Sequence, residues 1–373
     1  MEKTTAGTTA KHLAYIDCLR ALACMAVIGQ HTVLFTKCDA QHGEGFRIGA
    51  DLANRGWLGV SLFLVLSGFC LFLPMARKND IPDMKLDIRG FFSRRCWRIL
   101  PPFYLCLVIY AGLKIGANIH RHSGVMAGFG GAKDIPLHLL MLHNLFSSTV
   151  VTINPPFWSL ALEFQLYLVF PLLIFMMKRA SLPVTLGLAL FASAAYQAFV
   201  IHKLGHNPSL EHFASRYNAL PGRVFEFAAG MAAAYLVARP KQGQARYAVA
   251  IIAALFIPVL LMTGDQMNPP LLRDQLCGLF FASIVVACAA IPAKYFNSQG
   301  LQLLTTVGAC SYSVYLYHQP ILQAIGKVAE PIYVHSVPAY AAFSLVRAIV
   351  LIAIGKLMYE LWEKRWIAKP KPA

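Results

Sequence analysis

Ten apolar runs, each long enough to cross a bilayer, constrain this 373-residue chain more than any other feature. They fall at about 13–35, 57–76, 99–117, 157–177, 182–202, 219–238, 247–263, 273–292, 303–326 and 337–361. A transmembrane helix needs roughly 20 mostly apolar residues, and hydrocarbon admits only structures that satisfy their own backbone. The expected fold is therefore all-α, a polytopic membrane protein with about ten transmembrane helices. Charge content agrees. Charged residues make up 13% of the chain and hydrophobic ones 57%, with mean hydropathy +0.56, whereas a soluble domain carries about 25% charged residues. The first run is too long for a signal-peptide core and has no small-residue cleavage site, so it is expected to stay as a helix.

An eleventh stretch, 135–148, is short and carries His138, His143 and Asn144. Such a run is expected to be re-entrant or interfacial, and the distribution of cations supports leaving it out. With ten spans and a cytoplasmic N-terminus, the cytoplasmic side receives Lys3, Lys11, the cluster from Arg77 to Arg98, Lys178, Arg179, the 239–246 cluster, Lys294 and the basic tail. The other side receives a thinner scatter: Lys37, Arg47, Arg55, Arg121, Lys133, Lys203, Arg216 and Arg273. An eleventh span would send the basic tail outside, so ten spans with both termini cytoplasmic fits the positive-inside rule. The net charge of +16 is explained the same way, and no nucleic-acid partner is expected. Nine cysteines, mostly inside apolar runs, show no metal-ligand spacing, so no metal is expected. With no tandem repeat, low-complexity linker or appended soluble domain, residues 1–373 are expected to form one integral-membrane domain.

Ionisable residues within hydrocarbon are costly and mark functional sites. The first run holds Asp17, Arg20 and His31. Arg20 and His31 lie three helical turns apart on one face, separated by roughly 16 Å along the axis. Arg94, Arg95 and Arg98 abut the third run, and Arg95 and Arg98, one turn apart, are spaced to clamp a phosphate. In the fourth run Ser159, Glu163 and Tyr167 share a face. The sixth places Arg223 and Glu226 one turn apart, and the ninth carries His318. Under the ten-span topology His31, Glu163, Arg223, Glu226 and His318 fall in the outer half. Arg20 and the 94–98 arginines lie inward. Two unlike clusters joined along the first helix suggest a molecule received on the cytoplasmic side whose reactive end reaches outward.

Several segments resemble the acyltransferase-3 family of membrane-bound acyltransferases: Arg20-x10-His31, GVSLFLVLSGF at 59–69, FFSRRCWRILPPFY at 91–104, FWSLALEF at 157–164, GRVFEFAAG at 222–230 and SYSVYLYHQP at 311–320. They occur in family order over most of the chain. The resemblance implies an O-acyltransferase that moves an acyl group, often acetyl, from cytoplasmic acyl-CoA to a hydroxyl of a sugar, glycan or glycosylated metabolite. It also implies the bacterial inner membrane. Arg20 and His31 match the pair needed for activity, and Arg95 and Arg98 the donor-linked arginines. Two departures stand out: YELWEKRW carries Lys364 where proline is usual, and the esterase-like C-terminal part of some members is missing from these 373 residues.

On this reading Arg20, Arg94, Arg95 and Arg98 hold the phosphates of acyl-CoA, acetyl-CoA being the expected form. Neutral His31 acts as general base, with Glu163 fixing its tautomer or binding the sugar. Arg223 or His318 stabilises the oxyanion. Asp17, Trp158, Ser159, Arg223, Glu226 and His318 make up the expected substrate-binding set. An acyl-histidine relay is a second route, and oligomeric state is unreadable. A transporter or flippase for glycans or lipid-linked units is the other class of function, although paired broken helices in inverted halves are not evident. A non-catalytic receptor has no need of separate donor-side and acceptor-side clusters.

Overall fold

In the computed structural model, residues 13–34, 44–205, 208–296, 298–333 and 337–367 are described. Lys3, Lys11, Lys37 and the tail beyond 367, all part of the charge count, lie outside them. Among the described residues every regular element is helical. Each of the ten apolar runs overlaps helix among the described residues. Single-turn pieces aside, the elements are α1 Ala14–Leu34, α2 Glu44–Asn54, α3 Leu58–Lys78, α4 Ile88–His120, α5 Asp134–Leu139, α6 Phe157–Ala180, α7 Leu182–Leu204, α8 Leu220–Ala238, α9 Gln244–Met262, α10 Arg273–Ala289, α11 Gln299–Ala309, α12 Ser311–Tyr333 and α13 Val337–Met358. Six helical stretches among these are long and apolar enough to cross a membrane: Phe46–Lys78, Ile88–His120, Phe157–Ala180, Leu182–Leu204, Gln244–Met262 and Pro338–Trp366. Of the other runs, those in α1, α8 and α10 carry ionisable residues, and the 303–326 run is broken at Cys310 between α11 and α12.

Burial orders the bundle. Two thirds (67%) of the most apolar stretch of Phe46–Lys78 is buried, against 11% for α9. Thus α3 is the axis of the fold and α9 its rim. The backbones of α3 and α8 touch through glycines, as membrane helices do when small residues face each other. A Cβ added at Gly68 would lie 2.0 Å from the Phe227 carbonyl oxygen, and one at Gly230 would lie 1.9 Å from that of Val65. Both obstructing atoms are backbone, so neither can turn aside. Gly230→Val is therefore expected to destabilise the protein by at least about 1–3 kcal/mol, read as a lower thermal midpoint of the purified chain. A wild-type midpoint would contradict this packing. Gly308 of α11 meets α1 in the same way: a Cβ added there would lie 1.9 Å from the Asp17 carbonyl oxygen, a contact that seats the turn bearing Arg20.

The connection expected at 77–98 is shorter than hydropathy suggests. Helix α3 runs to Lys78 and α4 begins at Ile88, where Asp87 Oδ1 accepts from the Gly90 N–H at 3.0 Å. That side-chain cap satisfies an orphan donor. The arginines at 89, 94, 95 and 98 are consequently on a helix, at fixed angles to one another.

The 135–148 stretch makes only the six-residue α5 and a short turn. Its polar residues face inward: Asp134 Oδ1 lies 3.0 Å from His138 Nδ1, and the His138 and His143 rings stack at 3.9 Å. Burial pushes the Asp134 carboxyl up, but donors from His138, the Gly130 N–H and Thr152 outweigh it, and the group sits below its ordinary value. Burial, followed by the neighbouring His138, holds His143 well below its ordinary value.

Candidate active site

Arg20, Arg95, Arg98, Ser159 and Glu163, from three separate helices, line one cavity of about 100 Å³. Ser67 and Cys70 of α3 and Ser311, Tyr312 and Tyr315 of α12 complete its polar wall, and Tyr167 stands beside Glu163. The i, i+4, i+8 spacing seen in the sequence puts Ser159, Glu163 and Tyr167 on the cavity side of α6. Glu163 Oε1 accepts from Ser67 Oγ at 2.9 Å and from the Tyr167 hydroxyl. Arg20 points Nη2 at Cys70 Sγ (3.5 Å) and Nη1 at Asp17 Oδ1 (3.6 Å).

Charge is unequal here. Among the described residues Glu163 is the single carboxylate lining the cavity, against three guanidinium groups. Arg95 and Arg98 form no ion pair among the described residues, and Arg95 Nε is buried without a hydrogen-bond partner. An uncompensated, partly desolvated guanidinium pair is unfavourable unless an anion completes it, and the forked geometry of arginine suits phosphate. The arrangement is that of an anion site.

Around this end the chain is strapped together. Trp97 stacks on Trp366 at 5.2 Å, and Trp362 Nε1 donates to the Pro101 carbonyl at 3.4 Å. The Tyr312 hydroxyl donates to the Ile99 carbonyl at 2.8 Å, beside the prolines at 101 and 102 inside α4. The YELWE segment just before the departure at Lys364 is π-helical. Its Glu363 is buried, with Ser313 Oγ donating to Oε2 at 2.5 Å. Such bulges accompany functional sites.

At the opposite end, Tyr315 separates the cavity from two histidines. Its hydroxyl lies 2.6 Å from Ser159 Oγ, and its ring packs on Phe63 and on His318. His318, wholly buried, approaches His31 with Nε2 to Nδ1 at 3.3 Å. His31 Nδ1 also lies 3.0 Å from the Val27 carbonyl. The structure therefore pairs His31 with His318 and places Glu163 with the arginines.

Arg223 and Glu226 stand elsewhere, in a buried network that lines no part of this cavity. Arg223 contacts Asp274 Oδ2 at 2.9 Å, Glu226 Oε2 at 2.6 Å and Ser61 Oγ at 3.0 Å. Asp274 also takes Arg273 Nε and Gln197 Nε2, each at 2.9 Å. Arg273, counted from the sequence as an outer-loop charge, is 1% exposed and lies over the Trp57 ring at 4.3 Å. A charge at a helix end reads as loop charge until its partners are known. Arg94 turns away toward Asp87 at 3.9 Å, half-exposed, and Trp158 packs against the core without reaching the cavity. Among the described residues no group of three His, Cys, Asp or Glu is placed to hold a metal ion.

Sequence reasoning missed Ser67, Cys70, Tyr312 and Tyr315 in the cavity and Asp274 in the ion network. Each is small, aromatic or adjacent to a charge already counted. The signal that could have found the tyrosines is their i, i+3 spacing in SYSVY, which continues to His318.

Comparison with known proteins places this architecture. The acyltransferase domain family matches residues 13–356. YrhL of Bacillus subtilis (strain 168) is 26% identical over 384 residues, 95% of this chain and 55% of its own length. The peptidoglycan O-acetyltransferase OatA of Listeria monocytogenes is 26% identical, covering 88% of this chain and 52% of that protein. The O-acetyltransferase OatA of Staphylococcus aureus (strain NCTC 8325 / PS 47) is 24% identical, covering 87% and 54%. This chain spans about half the length of these relatives. No solved structure matches it. With its motifs in order and the family match running almost end to end, the chain belongs to the acyltransferase-3 family.

Proposed function

We propose that this protein transfers an acyl group, acetyl in the first instance, from acyl-CoA to a carbohydrate hydroxyl at the membrane. The observation that carries the reading is the cavity with three arginines to one carboxylate, two of those arginines without an ion pair among the described residues, next to a histidine pair of which His318 is wholly buried. The relatives named for peptidoglycan O-acetylation support acetyl as the group and a glycan as the acceptor. Ten spans, both termini in the cytoplasm and a bacterial inner membrane form the topological part of the proposal. It makes residues 1–373 one integral-membrane domain and puts the arginine end of the cavity inward.

In this scheme Arg95, Arg98 and Arg20 hold the phosphates of the donor, and its extended arm carries the thioester along the cavity toward Tyr315. Neutral His31 takes the proton of the acceptor hydroxyl as the oxygen attacks the thioester carbonyl. The carbon–sulfur bond breaks, and the leaving thiolate recovers that proton from His31. Ester and free CoA thiol are the products, and the histidine returns to its starting form. Each charge-assisted hydrogen bond to phosphate contributes about 1.5–3 kcal/mol.

The test is donor binding and use together. The double variant Arg95→Ala/Arg98→Ala, purified in lipid nanodiscs, is expected to lose the rise in thermal midpoint that CoA gives the wild type. In cells its ester yield is expected to fall by at least about tenfold, the equivalent of about 1.4 kcal/mol. A double variant that still responds to CoA like the wild type would remove the donor assignment.

A further inference from the structure

We infer that His318 is a positioning residue for His31: its imidazole accepts a hydrogen bond from the His31 Nδ1–H and thereby leaves the basic lone pair on His31 Nε2. The inference rests on the proposed role of His31 as general base.

Hydrogen-bond chemistry alone decides the tautomers. His318 Nδ1 lies 2.6 Å from the Tyr315 carbonyl oxygen. A carbonyl can only accept, so Nδ1 carries the proton. A neutral imidazole has one N–H, and His318 Nε2 is therefore an acceptor. That nitrogen is the one facing His31 Nδ1, at 3.3 Å. The Val27 carbonyl, a second acceptor, meets the same His31 nitrogen at 3.0 Å. Two acceptors converge on His31 Nδ1, so the proton sits there. The opposite nitrogen, Nε2, is left as the base.

In hydrolases this task falls to a carboxylate that holds the distal N–H of the catalytic imidazole and stabilises its protonated form. Here a neutral histidine performs it. An uncompensated carboxylate at this depth would be costly to bury, whereas a second imidazole offers the same lone pair without charge. His318 is itself clamped. It is 0% exposed, held by the Tyr315 carbonyl one helical turn before it, with its ring packed on both His31 and Tyr315. Because the Tyr315 hydroxyl meets Ser159 on the cavity wall, the clamp continues to the surface where the thioester would lie. This arrangement separates His318 from the acceptor and oxyanion roles that its position in the sequence also allows.

Two measurements on the full-length protein test it. Solid-state 15N NMR of histidine-labelled protein in bilayers, with the His31 signals identified by subtraction of a His31→Gln spectrum, is expected to show a protonated Nδ1 and an unprotonated Nε2. A protonated Nε2 at His31 overturns the inference. In parallel, alkali-labile acetyl on envelope glycans is measured in source cells carrying His318→Phe, which offers no acceptor, or His318→Gln, which offers an amide oxygen. His318→Phe is expected to lose about 10–100-fold, the usual effect of removing an orienting partner, while its CoA-induced thermal shift stays that of the wild type. His318→Gln is expected to recover most of that loss. Wild-type ester yield in His318→Phe, or no recovery in a folded His318→Gln, rejects the role. A lost CoA response in His318→Phe assigns the residue to donor binding and rejects it too. Failure of the parent reading looks different: His31→Ala then retains its ester yield whatever the His318 variants do.

Discussion

His31→Ala is expected to lower ester formation by about 10²–10⁴-fold, the range supplied by a positioned general base, without changing the protein's response to CoA. The reasoning is geometric. His31 stands beyond Tyr315 from the arginines, so removing its imidazole leaves the donor end of the cavity untouched. The measurement compares acetate released by mild alkali from envelope glycans with the CoA-induced thermal shift of the same purified variant. Loss of both together would relocate His31 to donor binding. Loss of neither would remove it from the chemistry.

The second large effect concerns stability. Arg223→Met is expected to destabilise the fold by about 3–5 kcal/mol, the cost of breaking a buried ion pair by removing one partner. Arg223 is 2% exposed and meets two carboxylates, those of Glu226 and Asp274, which are 1% and 0% exposed. Arg273 remains in contact with Asp274 after the substitution, so Glu226 is the group left without a cation. A double variant, Arg223→Met with Glu226→Leu, removes that orphan charge and is expected to recover part of the loss. The thermal midpoint of each purified variant reports both. A single variant as stable as wild type would show that these four charges do not hold α8 and α10 together.

Taken together, the two variants separate chemistry from architecture, which the sequence alone did not do. Arg20, His31, Glu163, Arg223, Glu226 and His318 all stood out there for one reason, a polar group in an apolar helix. That reasoning found every one of them. It could not sort them, because which helices meet is decided by contacts far apart in sequence. Arg223 answers to Asp274 and Ser61, 51 and 162 positions away, and His31 to His318, 287 positions away. Periodicity within one helix was the more reliable guide. It put Ser159, Glu163 and Tyr167 on one face and Arg95 beside Arg98, and those groups do line one cavity.

Helical class was legible because hydropathy reports what hydrocarbon demands, and six of the helical stretches are long and apolar enough to cross a membrane. Helix starts were less so. The first turns of α4 are charged, and a hydropathy window takes such turns for loop even though Asp87 caps them. The 303–326 run reads as one span, yet it breaks at Cys310, where no proline marks the place. The tight contacts of Gly68, Gly230 and Gly308 were equally silent, since a glycine in an apolar run gives no sign of which backbone it will touch.

The most direct test of the central claim is alkali-labile acetyl on envelope glycans, measured by mass in source cells carrying wild type, no gene, or His31→Ala at matched membrane levels. The account predicts an acetyl increment with wild type that is absent without the gene and reduced about 10²–10⁴-fold with His31→Ala. An increment of equal size with and without the gene, or with His31→Ala, would contradict it.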